Sequence, residues 1–210
     1  MRRTISAGLL SVLIITGLAV EPRPAEAGDL SGRARDFVTA MGYDVIAIMA
    51  DKTITDAQGL ERFHQLFKQN FDSKTISNFA LGRYRSIATI EQKLECERLM
   101  ELLMVRFYYA HFKTFGGGSF HSIQARSDGE HDAFVMTEVI PFKGKPVNVE
   151  WRIRERNNRL GIIDVAIEGI SMIVAQRQEF SSVIMATGGN IDAFLQILRN
   201  NDTTVASLPR

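Results

Sequence analysis

Asp164, Glu168 and Ser171 stand within eight positions of one another in the otherwise apolar run IIDVAIEGISM, residues 162–172. Two carboxylates and a hydroxyl are groups that general acid–base and nucleophilic chemistry uses. A buried Asp164 suits a small proton-shuttling isomerase, which also wants a second acid or a phenol. Tyr84, Tyr108 and Tyr109 are available, but nothing in their spacing ties them to Asp164. A structural reading needs fewer parts: Glu168-Gly169 ends a strand, and Ser171 caps the helix that follows.

Strand register bears on the choice. A two-residue turn at Asn157-Asn158 pairs Ile153 with Ile162 and sets Trp151 opposite Asp164 on the apolar side. There the Trp151 indole N–H or a helix N-terminus would have to satisfy the carboxylate. One more loop residue flips Asp164 to the face of Arg152 and Arg154, as an ordinary ion pair. The asparagine pair favours the first register.

Other chemistry finds less support. His64, His111, His121 and His131 have no metal-ligand spacing, and Cys96, the sole cysteine, cannot complete a zinc site. Cys96 falls in a helical pattern and reads as a buried, inert thiol. Gly116-Gly117-Gly118 lacks the Lys and Ser/Thr of a phosphate loop and reads as a joint between helix and sheet. Arg152, Arg154, Arg156 and Arg159 crowd one hairpin, as a solvated face or as a site for a lipid headgroup or an acidic partner.

The elements that must position these residues divide the chain by period. Helical spacing runs from Leu30 to Ala50, and from a cap at Asp56 through Leu60, Phe63, Phe67 and Phe71. A short helix begins at Asp72 or Ser73 and closes at Gly82. Thr89 and Gln92 form a capping box ahead of a long helix that ends at Gly116. From Ser119 the period is two, with strands predicted over 119–126, 132–140, 146–155 and 160–167, an antiparallel meander. Helices return at Ser171 and, capped by Asn190, near the C-terminus. The expected fold is α+β: one domain over 28–202, with helices on 28–118, the meander on 119–167, C-terminal helices on 171–200 and a frayed tail on 203–210.

Met1-Arg2-Arg3, the apolar stretch Leu9–Val20 and Ala25-Glu26-Ala27 form a signal-peptide pattern, with cleavage expected after Ala27 and export to a periplasm. Removal of the leader takes three of the 25 Lys and Arg and two of the 24 Asp and Glu, leaving 22 of each. That balance gives no general attraction for nucleic acid or for direct insertion into a membrane. With one cysteine, stability must come from packing. The helix faces are rich in Phe and Met, which either fill a core or line an adaptable apolar cavity.

Residues 147–184, VNVEWRIRERNNRLGIIDVAIEGISMIVAQRQEFSSVI, resemble the strand–strand–helix signature of the MlaC family of periplasmic phospholipid carriers. The matching positions are Trp151, Asp164, Glu168-Gly169-Ile170-Ser171, Arg177 and Glu179-Phe180. FDSKTISNFALGRY, residues 71–84, resembles the family's second marker. The resemblance implies a curved antiparallel sheet, similar to the nuclear-transport-factor fold, under several helices that enclose an apolar cleft. It implies no catalytic residue and no cofactor; the cargo is a phospholipid, carried between an outer-membrane lipoprotein complex and an inner-membrane ABC transporter complex. A hopanoid is the alternative cargo, and an isomerase using Asp164 the alternative function.

Carrying fits the physics. Each CH₂ exposed to water costs about 0.8 kcal/mol, so two long acyl chains cost roughly 20 kcal/mol or more outside an apolar container. Transfer from bilayer to cleft is near neutral, which allows both loading and unloading. The expected lining is Phe37, Met41, Phe67, Phe71, Phe79, Leu99, Leu103 and Phe107 from the helices. Val135, Val149, Trp151 and Ile153 come from the sheet, with Tyr84 at the rim.

Overall fold

The structure, a computed structural model, describes residues 30–115, 118–141 and 144–207. The leader with its cleavage site, Gly116-Gly117 and the end of the tail lie outside the described residues. Among the described residues six α-helices, α1 (Leu30–Ala50), α2 (Asp56–Asn70), α3 (Ser73–Leu81), α4 (Ile90–Phe115), α5 (Met172–Ala186) and α6 (Ile191–Ser207), accompany an open antiparallel sheet. Its strands β1 (Gly118–Asp128), β2 (Asp132–Pro141), β3 (Val147–Arg156), β4 (Arg159–Ile167) and β5 (Ile170–Ser171) lie in chain order. The fold is the expected α+β arrangement of helices with a meander.

The helix starts follow from capping chemistry. Thr55, not Asp56, caps α2: its hydroxyl accepts from Gln58 N, and the Gln58 side chain accepts from Thr55 N in return. Asp72 caps α3, Thr89 and Gln92 close the expected box on α4, and Asn190 Oδ1 accepts from Ala193 N at the start of α6. Each satisfies an N–H that the first turn leaves without a partner. α6 runs to Ser207, past the expected end, and β5 is a short strand absent from the sequence reading.

The register contains both alternatives in one hairpin. Asn157 and Asn158 take φ of 51° and 59°, the left-handed pair of a two-residue turn, and Arg156 pairs with Arg159 and Ile153 with Ile162 as expected. A bulge at Ile163 then slips the pairing by one. Arg152, not Trp151, faces Asp164, and Trp151 faces Val165. The extra residue re-aims every later side chain of β4.

Three apolar clusters hold the elements. The first joins α1 to the sheet through Val38, Met41, Val135, Trp151 and Ile153. A second joins α3, α4, α5 and α6 through Leu81, Leu99, Phe180 and Phe194, and a small third joins α2 to α4 through Phe63, Phe67 and Val105. Phe71, in the joint between α2 and α3, packs against all three.

Candidate functional site: a two-lobed apolar cavity

The clusters do not close up on one another. A cavity of about 360 Å³ lies between α1, α2 and α4 above and the sheet below, walled by Met41, Val45, Met49, Phe67, Phe112, Phe120, Val149 and Trp151. A second, of about 490 Å³, lies between α3, α4, α5, α6 and β4, walled by Ile76, Met100, Leu103, Phe107, Ile163, Met172, Phe180 and Phe194. Phe71, Tyr108 and Val165 belong to both. Close-packed interiors leave few voids larger than a water molecule. Two neighbouring apolar volumes of this size are the dimensions of binding sites.

Few polar groups face the lobes, and the most suggestive is committed. Asp164 Oδ1 accepts from Val165 N at 2.8 Å and Ile173 N at 3.1 Å, and Oδ2 accepts from Ser171 Oγ at 2.5 Å. Ser171 Oγ in turn accepts from Val174 N at 3.2 Å and caps α5. The carboxylate therefore ties β4 to the first turn of α5, where the helix dipole also favours it. A helix N-terminus satisfies Asp164, as one of the two expected solutions had it. Trp151 does not: its Nε1 donates to Thr137 Oγ1 at 2.9 Å, which donates to Val149 O at 3.1 Å. Nor does Asp164 pair with the arginines. Arg152 and Arg154 clamp the buried Asp132 instead, at 2.8 Å and 2.6 Å.

Glu168 stands at the edge of the first lobe, its backbone at φ 48°. It closes the end of β4: its N–H donates to Asn148 O at 3.0 Å, and its Oε1 accepts from Asn148 N at 2.6 Å. Of the tyrosines that could join it, Tyr108 shares the second lobe with Asp164 and feels its charge. Burial first, and Asp164 second, push its phenol up to about 12, so it stays protonated. Cys96, fully buried in α4, is also pushed up to about 12 by burial with Glu97 and Glu95, which leaves the thiol inert. No group of three His, Cys, Asp or Glu among the described residues is placed to hold a metal ion.

The sequence matches the family model described as MlaC protein over residues 40–200. The chain belongs to the MlaC family. That span contains both markers, 71–84 and 147–184, and most of the walls of both lobes. Among solved structures, a phospholipid-binding protein from Ralstonia solanacearum, determined in complex with a phospholipid, superposes with a TM-score of 0.72 at 24% identity. The alignment covers 83% of this chain and 99% of that one, and it shows the fold. No curated protein matches the chain.

In this MlaC-family chain the expected lining residues separate into three groups. Met41, Phe67, Phe71, Val149 and Trp151 face the first lobe. Phe71, Leu103 and Phe107 face the second. The other positions line neither lobe. Leu99, Val135 and Ile153 are filled core, and Phe37 packs among the residues between α1 and the sheet. Tyr84 is buried beneath the Arg83 guanidinium rather than set at a rim, and its hydroxyl accepts from Arg83 Nη2 at 2.9 Å. Phe79 is half-exposed on α3 under the Arg177 guanidinium. Periodicity picks the inward face of an element but cannot tell a side chain that fills a core from one that stops at a void. It also passed over Met49, Val45 and Phe112, the walls from α6 and those from α5 beyond Met172. The apolar face of α5 was legible; what it encloses was not.

Proposed function

We propose that this protein is a soluble periplasmic lipid carrier. It holds the acyl chains of a phospholipid in the apolar cavity and shuttles the lipid between outer-membrane and inner-membrane protein complexes. The observation that carries the reading is the pair of preformed apolar lobes between helices and sheet in a chain of the MlaC family. The phospholipid held by the Ralstonia solanacearum protein of the same fold supports it. No helix among the described residues is long and apolar enough to cross a membrane. The commitment of Asp164 and Ser171 to capping α5 supports a binding role over an isomerase, because neither group is left to move a proton for a substrate. No cofactor is needed for this function.

Native mass spectrometry of the protein purified from a periplasm, followed by extraction of whatever is bound, tests the proposal. The expected result is a lipid-sized mass increment that resolves as a phospholipid; a hopanoid would keep the carrier and change the cargo. An apo mass with no uptake from added liposomes would overturn it.

A further inference from the structure

Two lobes that share Phe71, Tyr108 and Val165 as walls are a different container from a single cleft. The partition is built into the core. Phe71 stacks on Phe67 with ring centroids 4.1 Å apart, its backbone bridges to Ile162, and the next N–H, of Asp72, donates to Ile162 O at 2.9 Å. Opposite it, the Tyr108 ring packs edge-on to Phe107, which walls the second lobe, and stacks with Phe112, which walls the first.

The Tyr108 hydroxyl is the distinctive group there. Tyr84 and Tyr109 hydroxyls are engaged with Arg83 and with Asp56 O, whereas that of Tyr108 meets no hydrogen-bond partner among the described residues. It is a protonated donor at the junction of two apolar spaces, beside a carboxylate whose oxygens are already taken.

On the carrier reading, we infer that the cargo is a two-chained ester lipid that straddles this partition, one acyl chain in each lobe, with the Tyr108 phenol donating to an acyl ester carbonyl at the branch. Neither lobe alone approaches the roughly 1,000 Å³ at the upper end of ordinary pockets, whereas about 360 Å³ and about 490 Å³ taken together come near it. Splitting the chains uses both volumes and brings the ester linkages to the partition. An ester carbonyl taken out of water there needs a donor, and Tyr108 supplies one. A rigid fused-ring lipid has no branch with which to occupy both lobes.

The test titrates lipid-stripped protein with dipalmitoyl phosphatidylcholine, its dihexadecyl ether analogue and palmitoyl lysophosphatidylcholine, read by native mass spectrometry. Met49→Trp and Val45→Trp each fill the first lobe; Leu103→Trp and Val183→Trp each fill the second. Two variants per lobe allow one that fails to fold to be set aside. Filling either lobe is expected to weaken the diester by about tenfold or more while the single-chain lipid still binds. If filling one lobe leaves diester binding unchanged, both chains share the other lobe; the inference is then overturned and the carrier stands. If the unaltered protein takes up none of the lipids, the carrier reading itself fails. Tyr108→Phe keeps the ring and is expected to erase a two- to tenfold preference, about that of one hydrogen bond, for the ester over the ether. Equal affinity of the unaltered protein for ester and ether would remove Tyr108 from the site.

Discussion

Replacing Asp164 separates a structural carboxylate from a chemical one. Asp164→Ala leaves the N–H groups of Val165 and Ile173 and the hydroxyl of Ser171 without their acceptor. Hydrogen bonds to a charged group contribute about 1.5–3 kcal/mol each, and water can replace the one to Ser171. Ser171 still caps Val174 N, so part of the helix start survives. The net loss is about 3–4 kcal/mol, with Ile173 N–H, in the buried first turn of α5, the largest part. In a chain of this size each kcal/mol lowers Tm by about 2–4 °C, so Asp164→Ala should melt roughly 6–15 °C below the unaltered protein. Asp164→Asn keeps one oxygen for both N–H groups and turns its amide toward Ser171 Oγ, which can accept. Its cost is about 1 kcal/mol. Thermal unfolding followed by circular dichroism, on the three proteins side by side, gives the order. An Asn variant as damaged as the Ala variant, or an Ala variant within about 1 kcal/mol of the unaltered protein, would refute the capping role. Lipid occupancy of Asp164→Asn should match that of the unaltered protein.

Asp132 is held below the usual carboxylate value by hydrogen bonds first from Arg154 and then from Arg152, against an opposing cost of burial. Its folded pKa lies under its unfolded one, so its contribution is complete above about pH 4 and fades as pH falls through the folded value. Asp132→Asn should therefore be less stable at pH 7, and urea midpoints should converge with those of the unaltered protein toward pH 3; a gap independent of pH would count against the clamp. A Cβ on Gly42 would stand 2.7–2.9 Å from three atoms of the Phe120 ring. Gly42→Ala should thus cost about 1–3 kcal/mol in urea unfolding, and no loss would mean that the α1–β1 contact has slack. Val149→Arg, which puts a charge into the first lobe, should leave export intact and lipid retention abolished, as measured by phosphorus in the purified protein; retained lipid would place the chains elsewhere.

Most of the fold was legible because its signals are local. Thr89 with Gln92, Asp72, Ser171 and Asn190 are caps whose hydrogen bonds reach only three residues, and the Asn157-Asn158 turn needs only two left-handed residues. The bulge at Ile163 was not legible. Ile162 and Ile163 are alike in type, both are buried, and nothing in the sequence says which of them is the extra residue. That one residue decided the partner of Asp164. The division of the cavity was hidden for a related reason. It depends on Phe71, placed by a backbone bridge to Ile162 across 91 positions of chain, and no period records such a contact. The apolar faces were readable, and the space left between them was a property of their sum.

The meander ends on one side at β1, an eleven-residue strand with a neighbour on one flank only among the described residues, and on the other at the two-residue β5. The shorter end offers little to another chain, but β1 presents a row of peptide groups on which a second copy could build. The register shift between Ser122 and Gln124 interrupts that row near its middle and turns Ile123 outward. Strands that pair beside many identical copies run a risk of joining edge to edge. The irregularity in β1, easily taken for a flaw in the sheet, is the kind of feature that works against such edge-to-edge joining.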